Sequence, residues 1–157
     1  MKKAFLGAGL TLLALLLSAG VVIGFGLLPA SADGNHSNLE ARVMPVVLHA
    51  AIARRASGER NPIPNPITED VLKQGTLTYK TTCATCHGTA KSGPTDFGKS
   101  FYPPAPQLSG GLPQYTDAEL FWIIKHGIRN TGMPAWGKTL SDEEIWQVVA
   151  ILKRPDK

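Results

Sequence analysis

Only two cysteines occur in this chain of 157 residues, and they stand together with a histidine directly behind them, as Cys83-Ala84-Thr85-Cys86-His87. Two thiols cannot supply the several bridges of a disulfide-stapled secreted domain, nor the four thiolates of a structural metal site. Their spacing is that of c-type haem attachment, in which the thiols meet the two vinyl groups of one porphyrin and the imidazole reaches the iron. The competing readings fail on context. A thioredoxin-like redox pair needs a strand-helix-strand setting, zinc needs further ligands, and a plain disulfide leaves His87 unexplained. Cys83, Cys86 and His87 are therefore candidate cofactor-binding residues, with His87 as a candidate metal ligand.

An iron with one protein ligand leaves a sixth position open. The candidates are His36, His49, His126 and the methionines. Met1 and Met44 lie in or near the N-terminal appendage, as do His36 and His49. Met133 stands in Thr131-Gly132-Met133-Pro134-Ala135-Trp136, 46 residues past His87. Methionine also fills gaps in ordinary cores, but glycine and proline on either side point to a loop held in one shape, which makes Met133 the expected axial ligand. His126 falls inside a predicted helix and reads as surface or packing. Trp136 is read either as packing against the porphyrin or as an indole donor to a propionate; Trp122 and Trp146 are read as packing residues.

Residues 4–28 carry no charge. As a helix this run would extend about 37 Å, more than the ~30 Å hydrocarbon core of a bilayer requires. Residues 1–32 are thus expected to be a transmembrane anchor. The alternative is a signal peptide, since Ala30-Ser31-Ala32 has the form of a cleavage site and Gly26 and Pro29 would break the helix before it. Lys2 and Lys3 precede the run and no Lys or Arg follows until Arg42, so either reading exports the remainder. Residues 33–66 form an expected arm, polar and irregular to residue 44, then a short helix opened by Pro45 with Val46, Val47, Ala50 and Ala53 on one face and Gly58 at its end. Asn61-Pro62-Ile63-Pro64-Asn65-Pro66 then makes a stiff linker. Residues 67–157 carry ten Lys/Arg against nine Asp/Glu, a near-neutral balance that argues against nucleic acid as a partner.

Every readable element beyond the linker is helical. Thr68 caps a helix through Val71, Leu72, Gly75 and Tyr79. Thr116 with Glu119, and Ser141 with Glu144, have capping-box spacing and open two more, the last burying Ile145, Val148, Val149 and Leu152. The Gly- and Pro-rich stretch from Gly88 to Pro113 is long for a loop and is expected to wrap around something.

In order along the chain, Gly75 and Tyr79, the Cys83 to His87 motif, Pro106-Gln107-Leu108, Gly132-Met133-Pro134 and a closing helix make residues 67–154 resemble a class I cytochrome c of the small bacterial type. The resemblance implies an all-α fold wrapped around one covalently attached haem c, with Cys83 and Cys86 as thioether donors and His87 and Met133 on the iron. It also implies that the first and last helices cross at Gly75, against Val148 and Ile151, and that a proline carbonyl, matched best by Pro106, orients the proximal imidazole. An isoleucine at 151 departs from the aromatic residue usual there. The arm and anchor are similar to those of membrane-tethered bacterial cytochromes.

The function expected is one-electron transfer with no reaction catalysed, between redox proteins of a bacterial respiratory or dehydrogenase chain. The haem domain would face the periplasm from the inner membrane, or be soluble there if the leader is cleaved. Two alternatives stand beside it: a haem c subunit fixed in a larger oxidoreductase, and an open-site haem enzyme or gas sensor.

Overall fold

A computed structural model describes residues 2–27, 30–33, 37–89, 91–108, 112 and 114–154, with side chains from residue 5 onward. Met1, Pro29 and His36 lie outside the described residues. The chain divides into two compact units, Met1–Gly34 and Asn35–Lys157.

The first unit is built on helix α1, Lys2–Gly24. Its stretch Phe5–Gly24 is long and apolar enough to cross a membrane, which fits an anchor. The helix ends where Gly26 takes a positive φ of 63°, a conformation that glycine adopts at no steric cost.

The second unit is all-helical, with no strand among the described residues. It opens with α2, Asn38–Ala56. This helix starts seven residues earlier than Pro45, the position expected from sequence. Ser37 supplies the reason, because its hydroxyl accepts the Glu40 N–H and caps the helix. Pro45 is thus carried inside α2, where it costs one backbone hydrogen bond rather than opening the helix. Val46, Val47, Ala50 and Ala53 are exposed, whereas Ile52 and Ala56 are buried.

Thr68, Thr116 and Ser141 cap the helices expected of them: α3 (Glu69–Thr78), α6 (Asp117–His126) and α7 (Asp142–Leu152). Two short pieces, α4 (Ala84–His87) and α5 (Asp96–Lys99), lie between α3 and α6. Helices α3 and α7 cross at Gly75, where an added Cβ would stand 2.2 Å from the Gln147 carbonyl oxygen and 3.3 Å from Ile151 Cγ2. Gln147 and Ile151 supply the nearest atoms at the crossing. Val148, one residue along α7, is completely buried and also lines a cleft.

The core is mostly α6 packed on α7, with the Phe121 and Trp146 rings stacked 4.2 Å apart. Ile145, Val148 and Val149 are fully buried, each contributing about 1.5–3 kcal/mol of transfer free energy. Helix α2 packs on the outer side of α6. Ile52 is buried there, His49 Nε2 lies 3.4 Å from Glu119 Oε1, and the Tyr102 hydroxyl donates to Glu40 at 2.7 Å.

Candidate functional site

The motif Cys83 to His87 sits at the end of α3, where the helix widens into one π turn over Tyr79–Cys83. There the Ala84 N–H reaches back five residues to the Tyr79 carbonyl. Such a turn inserts one residue into the helical register and is common at functional sites. It lets α3 serve the Gly75 crossing while the π turn presents Cys83, and α4 presents Cys86 and His87, to a single cleft.

The loop after α4 is fastened to it by contacts that no motif marks. The Tyr79 hydroxyl donates to the Gly88 carbonyl at 3.0 Å. Gly88 has φ 65°, and a Cβ there would fall 1.7 Å from the Gly93 carbonyl oxygen, so only glycine fits. Thr95 caps α5 and at the same time gives its N–H to the Cys86 carbonyl at 3.1 Å and its hydroxyl to the Thr85 carbonyl at 2.7 Å. Gly98 lies so close that an added Cβ would stand 2.0 Å from the Cys86 carbonyl oxygen. From Gly98 the chain is tied onward by the Ala105 N–H at 2.9 Å. The next residue is Pro106, whose carbonyl oxygen lies 2.8 Å from His87 Nδ1. Of the three prolines in this stretch, Pro106 makes the contact. With Nδ1 holding the proton for this bond, Nε2 keeps the lone pair and is the nitrogen left for a metal.

Met133 lines the same cleft. Its loop is fixed by three hydrogen bonds: Met133 N–H to Thr131 Oγ1 at 3.1 Å, Thr131 Oγ1 to the Ile128 carbonyl at 2.8 Å, and Ile128 N–H to the Met133 carbonyl at 3.2 Å. Gly127, at φ 66°, and Gly132, whose Cβ would meet the Phe101 ring at 2.5 Å, allow the close approach. Trp136 also lines the cleft. His126 is exposed against the Trp122 ring, Met44 is exposed on α2, and His49 bonds to Glu119; none of the three lines the cleft.

The cleft has a cavity volume of about 260 Å³. Leu108, Leu120, Ile124 and Val148 are among its walls, and no Asp, Glu, Lys or Arg lines it among the described residues. Burial pushes the Cys83 thiol above its ordinary pKa, with the Thr82 hydroxyl pulling the other way and the neighbouring Cys86 adding a smaller upward push. Cys83 is thus a neutral thiol in an apolar wall. An apolar slot, two thiols on one edge, an imidazole with one nitrogen free and a thioether in a fixed loop together fit an iron porphyrin bound through both cysteines.

The family model described as Cytochrome C oxidase, cbb3-type, subunit III matches residues 70–152, more than half of the chain. No curated protein matches it. The matched span takes in the π turn, the cysteine motif, Pro106 and Met133. Sequence reasoning named the four residues that meet in the cleft but missed Thr95 and Gly98. The only signal available for them was a threonine three residues ahead of a glycine, a pattern too common to single out.

Proposed function

Because the chain belongs to the family of cbb3-type cytochrome c oxidase subunit III, we infer that it is a membrane-tethered monohaem electron carrier with His87 and Met133 as the axial ligands. Its haem c, covalently bound, supplies a one-electron ferric and ferrous couple. Cys83, at the end of the π turn, and Cys86, on α4, would hold the porphyrin through their sulfurs. Pro106 fixes the tautomer and plane of the His87 ring, so that the donor atom needs no reorientation between oxidation states. The Met133 thioether is neutral and favours the ferrous state relative to a second imidazole, raising the potential. With His87 and Met133 both holding the iron, no position would be left for a substrate, and the residues present would serve electron transfer rather than bond making.

The observation that carries this reading is that Met133 and His87, each held by its own hydrogen bonds, line one cleft in which no charged side chain occurs among the described residues. Helix α1 would hold the domain at a bacterial inner membrane, on the periplasmic side given Lys2 and Lys3 ahead of the apolar run. Donor and acceptor are then redox proteins of a respiratory chain.

A second reading, a haem subunit fixed in a larger oxidoreductase, is favoured by the family's description as an oxidase subunit. Purification in mild detergent with a coulometric titration tests the first. A free carrier leaves the column alone and takes up one electron per chain in a single wave. Stoichiometric co-purification with further redox subunits favours the second reading. A wave that shifts under carbon monoxide contradicts both and favours an open-site enzyme or sensor.

A further inference from the structure

Five of the eight exposed large hydrophobic side chains in the second unit, among the described residues, lie on α2: Leu39, Val43, Met44, Val46 and Val47. At about 100° per residue, Leu39, Val43, Val46, Val47 and Ala50 form one row, directly opposite Leu48, Ile52 and Ala56. Leu39 is 73% exposed and Val46 69%. No Asp, Glu, Lys or Arg occurs between Arg42 and Arg54. A helix that faced only water on this side would interrupt the row with charge, so the row is built to be covered.

The chain itself indicates by what. Asn38 follows Gly24, the end of the helix able to cross a membrane, by 14 residues, which limits their separation to about 50 Å of extended chain. Arg54 and Arg55 occupy the last turn of α2, Arg60 follows, and all three are exposed. The helix has one carboxylate, Glu40, and the Tyr102 hydroxyl engages it. An apolar row joined to a membrane span by so few residues, on a helix with net positive charge, suits the boundary of a bilayer that contains acidic lipid.

We propose that α2 lies in the membrane interface, with Leu39, Val43, Val46 and Val47 in the acyl boundary and Arg54, on the same side of the helix, on acidic lipid headgroups. The proposal rests on the reading of α1 as an anchor. The opposite face of α2 packs on α6, and α6 lines the haem cleft with Leu120, Ile123 and Ile124. Helix α2 would therefore set the attitude of the cleft to the membrane, where a freely swinging tether would not.

The full-length holoprotein, reconstituted in nanodiscs of phosphatidylcholine and phosphatidylglycerol, tests this. Single variants Val46→Cys, Thr76→Cys and Leu13→Cys each carry one environment-sensitive fluorophore, since haem attachment consumes Cys83 and Cys86. Quenching by iodide reports water and quenching by nitroxide-bearing lipid reports the bilayer. The label at position 46 is expected to show several-fold more lipid quenching than that at position 76 and to resist iodide, with partial loss when phosphatidylcholine replaces phosphatidylglycerol. If position 46 behaves like position 76 while position 13 is quenched by lipid, the proposal is overturned and the anchor stands. Protection of position 46 from both quenchers means that protein covers the row, which also overturns it. Iodide quenching at position 13 removes the anchor and the proposal together.

Discussion

The carbonyl oxygen of Pro106 lies 2.8 Å from Nδ1 of His87, although the two residues stand 19 positions apart in the chain. That contact decides which ring nitrogen keeps a lone pair, and it strengthens that nitrogen as a donor by drawing on the opposite N–H. Pro106→Ala keeps the carbonyl but loosens the backbone that aims it. The variant should retain its haem while its reduction potential rises by tens of millivolts, because a weaker imidazole donor stabilises ferric iron less. Parallel redox titrations check the sign, and a lowered potential would count against the assigned role of Pro106.

Attachment rests on Cys83 and Cys86 together. The double variant Cys83→Ala with Cys86→Ala should show no haem after denaturing electrophoresis and should accumulate poorly, since a domain this small loses much of its buried apolar centre without the porphyrin. Haem stain persisting in that variant would refute thioether attachment.

Helix crossing at Gly75 tolerates no side chain, as the Gln147 backbone would have to move. Gly75→Ala should destabilise the holoprotein by about 1–3 kcal/mol, the usual range for overpacking, while leaving the visible spectrum unchanged. Denaturant midpoints followed at the same time as the haem absorption separate the two effects.

An acid-sensitive element sits at the start of α7. The Ser141 N–H and hydroxyl both donate to Glu144 Oε2 at 2.8 Å and hold its carboxyl below the usual carboxylate range, the backbone bond contributing most. A carboxyl depressed in the folded state stabilises that state above the unfolded pKa, and the benefit is lost as pH falls through the folded pKa. Wild type should therefore be more heat-stable than Glu144→Gln near neutrality, with the gap closing as pH is lowered through and below the ordinary carboxylate range. Thermal scans across that range check it; a gap independent of pH would mean that the capping charge contributes nothing.

What the sequence discloses depends on how local the cause is. Thr116 with Glu119 and Ser141 with Glu144 announce their helices because a capping box spans four residues, and both form as read. The start of α2 was legible in Ser37 but was masked by Pro45, a residue as much at home opening a helix as interrupting one. Its buried face could not be read at all: apolar residues occur on both sides, and only packing on α6 selects Ile52 and Ala56. Thr95 and Gly98 were silent for the same reason, since they act on Thr85 and Cys86 through backbone atoms.

The assignment of Met133 separates a carrier from an open-site enzyme, and one comparison tests it most directly. The absorption spectrum of the oxidised wild type should contain the weak sulfur-to-iron charge-transfer band, and its reduced form should not bind carbon monoxide. Met133→Ala should abolish that band, bind carbon monoxide readily and lower the potential, with haem still attached through Cys83 and Cys86. A wild type that lacks the band and binds carbon monoxide as readily as Met133→Ala would contradict ligation by Met133, and the electron-carrier account with it.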